Sequence, residues 1–280
     1  MTNQETKSRT GILIAAGAAV VLVAAFFVAL LLGPKTRQEP PETTAATEET
    51  TEATLPPPEA NPYGPNDFQY DGDYLTCTAG ESVLGIDISE FQTVTDWNAV
   101  RDAGVEFVIL RAGYRGYSSG QLNIDEKAAE HYAGAKAAGL KVGVYFFSQA
   151  VTAAEAEAEA CLTLNIIKDW QLDMPVVYDW EYVSDEARTA DVTGEELTAI
   201  TMAFCDVVEE AGYVPMVYFN QNQSFDLLQL EVLTDYGFWL AMYSDRMTYP
   251  YKLDMWQYTC EGAVPGIEGN VDLNLWFPET

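Results

Sequence analysis

The sequence predicts an α/β fold, an irregular TIM-like barrel of five βα units followed by three strands, and three observations support it. The stretches RDAGVEFVILRAG, KAAGLKVGVYFFS and EEAGYVPMVYFN each place a Gly between a helical pattern and an apolar strand. A Gly just past a helix end adopts the left-handed conformation that closes the helix. Capping-box spacing marks helix starts at Thr152 with Glu155 and at Thr193 with Glu196. Strand and helix patterns alternate, which is typical of parallel strands covered by helices.

In chain order, the patterns predict eight strands and five helices. The strands lie near residues 84–88, 106–112, 141–147, 175–181, 214–219, 237–243, 253–258 and 271–275. The helices lie near residues 96–103, 124–138, 153–169, 194–211 and 224–234. Eight strands of this kind close into a barrel. Because the last three strands leave no room for crossover helices, we expect the barrel to be irregular there and to admit an antiparallel strand.

The N-terminal part of the chain differs in composition from the barrel region. Residues 1–11 form a short tail, and residues 12–32 are an uncharged apolar run long enough to cross a bilayer as a helix. We favour an uncleaved transmembrane anchor over a cleavable signal peptide, because VALLLG before Pro34 is a poor cleavage site. Residues 33–80, rich in Pro, Thr and Glu, predict a disordered linker, and residues 81–280 predict the globular domain.

The stretch VVYDWEY, residues 176–182, carries two carboxylates in a strand that otherwise predicts burial. Side chains two residues apart share a face of a strand, so Asp179 and Glu181 lie together, with Cα atoms roughly 6.5–7 Å apart. Burying both without partners would cost on the order of several kcal/mol. An isolated Asp-x-Glu pair is more often a solvated loop or an ion pair. In this strand the pair predicts the lining of a cleft where chemistry occurs.

The ends of the other predicted strands supply further polar and aromatic side chains. Functional residues of a barrel lie at the carboxyl ends of its strands. Those positions hold two more carboxylates, Asp87 and Asp272, and two amides, Asn220 and Gln257. The predicted mouth is ringed by aromatic residues: Tyr114, Tyr145, Tyr178, Tyr218, Trp239, Tyr243, Trp256 and Tyr258. Acids with flat aromatic faces suit a carbohydrate cleft, since sugar faces stack on rings and glycosidic cleavage uses carboxyl groups.

Composition argues against several other classes of protein. His131, the single histidine, lies within a predicted helix, so we expect neither a Ser-His-Asp triad nor a histidine-rich zinc site. The sequence has no Gly-rich phosphate loop. The net charge is -29, and residues 81–280 hold 33 acidic against 10 basic residues, which argues against nucleic acid as a partner. We expect a monomer without cofactor or metal.

Seven motifs occur in order between Gly85 and Trp276: GIDISEFQ, DWNAVRDAGVEFVILRAGY, PVVYDWE, VYFN, FWLAMY, MWQYT and NVDLN. In this set the sequence resembles the glycoside hydrolases of family 25, the N-acetylmuramidase type of lysozyme. Each motif is weak alone, but all seven at compatible spacing form a specific match. The resemblance implies a catalytic domain at residues 81–280 that hydrolyses the β-1,4 bond from N-acetylmuramic acid to N-acetylglucosamine in peptidoglycan.

The resemblance also implies roles for the four carboxylates. Glu181 would donate a proton to the leaving sugar, and Asp179 would assist the second half of the reaction. Asp87 and Asp272 would complete the acidic cluster. The side chains expected to contact substrate are Tyr114, Tyr145, Tyr218, Asn220, Trp239, Tyr243 and Gln257. The sequence departs from the family pattern at VGVYFFS, where Phe146 and Phe147 replace an expected polar aromatic residue.

Several functional alternatives stay open on the residues alone. Asp179 either attacks the sugar, stabilises the cationic transition state, or orients the substrate's own N-acetyl group, and we favour the last with net retention. The whole domain is either an active hydrolase, a catalytically inactive glycan-binding module on the same barrel, or a hydrolase of a different N-acetylated glycan. We expect the cell membrane of a Gram-positive bacterium as its location, single-pass, with the domain outside and peptidoglycan glycan strands as partner.

The four cysteines are Cys77, Cys161, Cys205 and Cys260. They are consistent with an extracytoplasmic domain, and four cysteines allow three pairings. We expect Cys161 to pair with Cys205, because both lie on helices that flank the fourth strand, and Cys77 to pair with Cys260. The alternative is four buried free thiols.

Overall fold

The computed structural model describes residues 55–278. The predicted anchor at residues 12–32, and the linker prediction for residues 33–54, fall outside this range. Within residues 55–278, no helix is both long enough and apolar enough to cross a membrane. The anchor therefore stays a prediction.

The described residues form strands that alternate with helices. The strands are β1 (Phe68–Asp71), β2 (Tyr74–Cys77), β3 (Val83–Ile88), β4 (Thr93–Val94), β5 (Phe107–Arg115), β6 (Leu122–Ile124), β7 (Lys141–Ser148), β8 (Val176–Trp180), β9 (Pro215–Asn220), β10 (Gly237–Ala241), β11 (Met255–Gly262), β12 (Ile267–Glu268) and β13 (Val271–Trp276). The helices are α1 (Trp97–Asp102), α2 (Ala128–Ala138), α3 (Ala153–Ile167), α4 (Gly194–Glu210) and α5 (Gln221–Asp226), with a 3₁₀ turn at Leu230–Val232. All eight predicted barrel strands and the first four predicted helices are confirmed, with ends shifted by a few residues.

Eight of the strands close into a barrel. Their order is β3-β13-β11-β10-β9-β8-β7-β5, and β5 pairs back to β3. Neighbouring strands are parallel except around β13, which is antiparallel to both β11 and β3. The expected antiparallel strand is therefore β13. The segment between β11 and β13 is too short for a crossover helix, so β13 returns beside β11 in the opposite direction.

The local signals for helix ends are largely confirmed. Three glycines just past helix ends have positive φ angles of 99°, 87° and 85°: Gly104, Gly139 and Gly212. Both hydrogen bonds of the capping box form between Thr193 and Glu196. The Thr152 hydroxyl caps α3 by accepting from the Glu155 backbone. The Glu155 carboxylate instead binds the Arg188 guanidinium, at 2.7 and 2.8 Å.

The barrel interior is apolar towards the amino ends of the strands. This layer consists of Val83, Phe107, Ile109, Met174, Val177, Met216, Trp239 and Met255. A Cβ atom at Gly85 would lie 2.2 Å from the Phe107 ring, so the ring fills space that only glycine leaves free. A second, larger apolar core packs the outer faces of the strands against the helices. The filled lower layer leaves the carboxyl ends of the strands as the place for an open cavity.

The predicted helix at residues 224–234 is wrong in its length. The helix α5 begins earlier, because Asn220 caps it by accepting from the Gln223 backbone at 3.0 Å. It ends at Asp226, and a 3₁₀ turn follows. At Leu227 the backbone packs against Gly194 of α4. A Cβ atom at Gly194 would lie 2.2 Å from the Leu227 oxygen, so this tertiary contact needs the glycine.

The linker prediction is wrong for its C-terminal part. Strands β1 and β2, which lie within residues 33–80, pair as an antiparallel hairpin. The Phe68 ring packs edge-on against Trp256, with centroids 5.0 Å apart. Leu75 is buried, and its backbone N–H donates to the Tyr258 hydroxyl at 3.4 Å. Because Trp256 and Tyr258 lie on the outer face of β11, the hairpin covers strands that lack a crossover helix.

The predicted disulfides are not formed, and all four cysteines are free thiols. The helices α3 and α4 are neighbours, as expected. Their thiols nevertheless point in different directions, because Cys205 is buried while Cys161 is exposed. Cys77 is half-buried and Cys260 is exposed. The alternative of free thiols is therefore confirmed, although only Cys205 of the four is buried.

Candidate active site

The carboxyl ends of the barrel strands surround a cavity of about 160 Å³. Side chains two residues apart share a face, so Val177 of the apolar layer places Asp179 above it, and Met255 likewise places Gln257. The cavity is lined by Asp87, Tyr145, Phe147, Asp179, Glu181, Tyr218, Trp239, Tyr243, Gln257 and Asp272. It brings together all four predicted carboxylates and five of the seven predicted substrate contacts.

The four carboxylates come from three places in the barrel. Asp87 and Asp272 are directly paired across β3 and β13, so both side chains face the interior. Asp179 lies in β8 and pairs with Tyr218 on β9. Glu181 follows the last residue of β8 and shares a side-chain hydrogen bond with Asp179. The sequence separation of these residues is large, but the closed sheet makes them neighbours.

The pair Asp179 and Glu181 holds protons tightly. Burial raises the pKa of Asp179 well above its ordinary value, and the charges of Glu181 and Asp87 raise that pKa further. The Asp179 Oδ1 atom is buried without a hydrogen-bond partner. Burial also raises the pKa of Glu181, while its hydrogen bond with Asp179 acts in the opposite direction. The pair therefore keeps a proton to a higher pH than a solvated carboxyl group does.

Asp87 and Asp272 occupy different environments. Burial raises the pKa of Asp87 well above its ordinary value, and the neighbouring Asp272 charge adds to this effect. Hydrogen bonds from Asn274 Nδ2 and Gln257 Nε2, at 2.8 and 2.9 Å, act in the opposite direction. Burial raises the pKa of Asp272 to about 6. Crowded carboxyl groups cannot all ionise, so these environments separate protonated from ionised members.

The aromatic side chains of the mouth use their polar atoms within the protein. Trp239 is 1% exposed, and its Nε1 donates to Asn274 Oδ1 at 2.9 Å. The hydroxyls of Tyr218 and Tyr243 both donate to Gln257 Oε1, at 2.9 and 3.2 Å. Tyr243 is 58% exposed and presents its ring to solvent at the cavity. Of these three rings, Tyr243 is therefore the one open to a sugar.

Two predicted contacts lie beside the cavity. The Asn220 side chain caps α5, and the residue borders an adjoining depression that Glu181 and Tyr243 also line. The Tyr114 ring stacks on the Arg111 guanidinium, 4.9 Å from its central carbon to the ring centroid. Tyr114 also pairs with the cavity residue Phe147 across β5 and β7. Both positions remain predicted substrate contacts for a glycan longer than one sugar.

Three aromatic residues assigned to the mouth point away from it, and that expectation is wrong. Tyr178, Trp256 and Tyr258 belong to the apolar core outside the barrel. The reason is the alternation of side chains, because each of them is adjacent in sequence to an inward residue, Asp179 or Gln257. The Tyr178 hydroxyl accordingly bonds to the Ser148 hydroxyl at 2.8 Å.

Two residues of the site, Asn274 and Arg111, were not predicted, and Phe147 was named only as a departure from the family pattern. Phe147 lies two residues after Tyr145 and lines the cavity. Asn274 lies two residues after Asp272 and bonds to Asp87. Arg111 is a buried cation that binds Asp125 at 2.8 Å and Glu90 at 2.9 Å, and its charge lowers the pKa of Asp179. Each of the three lies two residues after an inward-facing side chain, so the spacing that identified the acids also indicates them.

Comparison with known proteins places these features in a family. The family described as Glycosyl hydrolases family 25 matches residues 86–267. The autolytic lysozyme of Clostridium acetobutylicum is 30% identical over 191 residues, covering 68% of this chain and 54% of that protein. The modular autolysin LytC from Streptococcus pneumoniae has a TM-score of 0.62 at 29% identity, covering 70% of this chain and 47% of that one. The spore cortex lytic enzyme SleM from Clostridium perfringens has a TM-score of 0.61 at 26% identity, covering 71% and 68%.

The chain spans about half the length of the autolytic lysozyme and of LytC. The family match covers well over half of the chain and includes Asp87, Asp179 and Glu181, while Asp272 lies just beyond it. The barrel order, the cavity and this match agree. The chain belongs to family 25 of the glycosyl hydrolases.

Proposed function

We propose that the chain is a peptidoglycan hydrolase, an N-acetylmuramidase that cleaves the β-1,4 bond between N-acetylmuramic acid and N-acetylglucosamine. The observation that carries this proposal is the convergence of four carboxyl groups in one cavity with an exposed tyrosine ring. Family membership supports glycoside hydrolysis as the reaction class. The related LytC has been solved in complex with a synthetic peptidoglycan ligand, which supports this substrate class.

Glu181 is the proton donor in this proposal. The leaving sugar oxygen needs a proton as its bond breaks, so the donor must remain protonated near neutral pH. Burial raises the pKa of Glu181, which meets this requirement. Glu181 is half-buried and borders both the cavity and the adjoining depression, whereas Asp179 is 4% exposed. A glycosidic oxygen therefore reaches Glu181 more readily than Asp179.

Asp179 assists the N-acetyl group of the substrate. Enzymes with a carboxylate nucleophile hold their two carboxyl groups about 5–5.5 Å apart, and inverting enzymes about 6.5–9.5 Å apart. Asp179 and Glu181 interact through their side chains at the end of β8, which places Asp179 beside the proposed donor. Attack by the acetamido oxygen needs no such gap and leads to net retention. Asp179 would orient that group and offset its developing charge.

Asp272 supplies negative charge beside the reacting sugar, and Asp87 lies next to it. The pKa of Asp272 is raised to about 6, so this group is ionised at neutral pH. A preorganised anion stabilises the positive charge that develops on the sugar ring in the transition state. The two residues face each other across β3 and β13, which places both carboxyl groups on the same wall of the cavity.

The environment of Asp179 disfavours an inactive glycan-binding module. A buried polar atom without a partner, such as Asp179 Oδ1, costs about 1–3 kcal/mol. A binding module would gain nothing from this cost. Strain of this kind is typical of catalytic sites, where activity compensates for lost stability.

The proposed setting is the bacterial cell envelope. Residues 12–32 would anchor the chain as a single-pass helix, and the linker would end at Ala60, which bridges to Tyr251. The segment Pro56–Glu59 lies beside Gly237 and Phe238, at the amino end of β10. The chain thus enters the barrel at the amino ends of the strands, opposite the cavity.

A turbidity assay on purified peptidoglycan tests the proposal. We expect the full-length chain to clear the suspension and Glu181→Gln to do so about 10²–10⁴-fold more slowly, the range of general acid catalysis. The matched control is Glu157→Gln, at an exposed glutamate of α3, which should clear at the wild-type rate. Rapid clearing by Glu181→Gln would move the donor role to another carboxyl group. No clearing by the wild type would contradict the proposed function.

A further inference from the structure

A line of hydrogen bonds runs from Trp239 through Asn274 to Asp87. Trp239 Nε1 donates to Asn274 Oδ1 at 2.9 Å, and Asn274 Nδ2 donates to Asp87 Oδ2 at 2.8 Å. An indole nitrogen donates and does not accept. The Asn274 oxygen must therefore face Trp239, which directs the Asn274 NH₂ group at Asp87.

Gln257 reaches the same carboxylate oxygen from the neighbouring strand. Its Nε2 donates to Asp87 Oδ2 at 2.9 Å, and its Oε1 accepts from the Tyr218 and Tyr243 hydroxyls. Both lone pairs of the amide oxygen are thus in use. Asp87 Oδ2 receives two N–H donors and is a fixed acceptor. A proton on Asp87 would have to reside on Oδ1.

This network is shielded from solvent. The exposed fractions are 1% for Trp239, 3% for Gln257 and zero for Asn274. Buried hydrogen bonds in a linked set are stronger than solvated ones. The buried Trp239 ring offers no face for sugar stacking. Its indole N–H bonds to Asn274, which bonds to Asp87, and Gln257 bonds to Asp87 directly.

We propose that Asn274 and Gln257 are positioning residues that hold Asp87 as a carboxylate of fixed orientation, and that Trp239 orients Asn274. The catalytic meaning of this inference rests on the proposed function. A fixed anion at Asp87 would keep a proton on the Asp179–Glu181 pair and face the positive charge of the transition state. The sequence analysis assigned Trp239 and Gln257 to substrate contact; their geometry gives them this second role.

The charged and polar groups around Asp87 determine in which direction its pKa should change when a hydrogen-bond donor is removed. The groups that face it are Asp272 on β13, Asp179 and Glu181 at the end of β8, and the hydroxyls of Tyr145, Tyr218 and Tyr243. Burial and the carboxylates raise the pKa of Asp87, and the two amide donors lower it. Removing a donor therefore raises this pKa. For an acid whose folded pKa lies above its unfolded value, stability falls as pH rises through the folded pKa.

Thermal unfolding of the full-length chain at pH 5 and pH 8 tests the inference without an activity measurement. Asn274→Leu removes one donor at nearly constant volume, and Trp239→Phe removes the indole N–H but keeps a buried ring. In both variants, Tm should fall below the wild-type value by more at pH 8 than at pH 5. The matched control is Trp256→Phe, whose buried indole donates to the Met242 backbone oxygen, and its loss should be equal at both pH values. If Asn274→Leu does not fold, Trp239→Phe decides.

The pH profile of hydrolysis gives the catalytic readout. In Asn274→Leu, the acid limb of kcat/KM on soluble peptidoglycan fragments should move up by about one to two pH units, the size expected for a hydrogen bond to a charged group. KM should change little, and Trp256→Phe should keep the wild-type profile. Losses of Tm that do not depend on pH, or an acid limb that stays in place, would overturn the inference. If the wild type is inactive, the proposed function fails, and the Tm comparison alone decides whether Asp87 is held.

Discussion

At the scale of single residues, side-chain alternation along strands explains which acids converge. Trp180 separates Asp179 from Glu181 and points outward, where its indole donates to the Ala150 oxygen at 3.0 Å. This alternation could be predicted from the sequence alone. The partners of Asp87 could not, because Asn274 reaches it only through the pairing of β13 with β3. Non-local pairing has no local sequence signal, so Gln257 was predicted only as a substrate contact, and the hydrogen bonds of Gln257 and Asn274 to Asp87 were not predicted.

The Asp179 Oδ1 atom, which is buried without a hydrogen-bond partner, predicts a variant that is more stable but less active. Burial raises the pKa of Asp179, so the wild type loses stability as pH rises above the unfolded pKa of about 4 and through the folded value. Asp179→Asn removes this charge and still has an N–H for Glu181. We expect a gain of about 1–3 kcal/mol at pH 8, equivalent to roughly 2–4 °C in Tm per kcal/mol, and almost no gain at pH 4.

The same variant should hydrolyse peptidoglycan more slowly and still bind glycan, because Glu181 and the rim remain. Asp169→Asn, at an exposed aspartate after α3, is the matched control and should leave Tm unchanged at both pH values. A Tm for Asp179→Asn below that of the wild type at pH 8 would show that the Asp179 carboxylate is stabilised in a way that its contacts do not reveal. Loss of glycan binding would make Asp179 a substrate-positioning residue.

At the scale of elements, the sequence predicted the strands and helices whose ends carry local signals. Gly139 in the left-handed conformation and the capping box at Thr193 are examples. The predicted end of the fifth helix was wrong because a tertiary contact, between Leu227 and Gly194, determines where that helix ends. The linker prediction was wrong for the hairpin of β1 and β2, because that segment is polar in composition yet packs one face on the barrel. There Tyr70 faces solvent while Phe68 and Leu75 pack on the barrel.

The hairpin should be an integral part of the domain. Leu75 is 1% exposed, so Leu75→Ala should lower the free energy of unfolding by about 2–5 kcal/mol, the cost of a large-to-small change in a core. Tyr70→Ala, at a residue 55% exposed in the same hairpin, should change it by less than about 0.5 kcal/mol. Urea unfolding monitored by tryptophan fluorescence measures both. Equal midpoints for the two variants would mean that the hairpin does not support the barrel.

At the scale of the whole molecule, charge and the proposed tether act together. The net charge of the chain is -29, and bacterial walls are anionic as well, so a domain that acts on the proposed substrate would gain nothing from electrostatic steering. A tether replaces wall affinity by keeping the local concentration high. Because the hairpin is folded, the proposed linker shortens to residues 33–59. Its reach would be about 30 Å as a flexible coil and about 85 Å in a Pro-rich extended form.

The fragment 61–280 should therefore cleave isolated peptidoglycan but lyse intact cells poorly from outside. Raising salt from low to physiological concentration should increase its rate slightly, because screening weakens repulsion between like charges. The measurement compares fragment and full-length chain on isolated sacculi and on whole cells across a salt series. Efficient lysis of whole cells that salt inhibits would contradict this account of the acidic surface and of the tether.

The central claim is that the cavity cleaves the glycan on the reducing side of N-acetylmuramic acid. Purified peptidoglycan is digested with the full-length chain, the new reducing ends are reduced with borohydride, and the products are identified by mass spectrometry. The account predicts that reduced N-acetylmuramic acid is the new end in the wild-type digest and is nearly absent with Glu181→Gln. Reduced N-acetylglucosamine at the new ends would contradict it, because the same four carboxyl groups would then be cutting the other glycosidic bond.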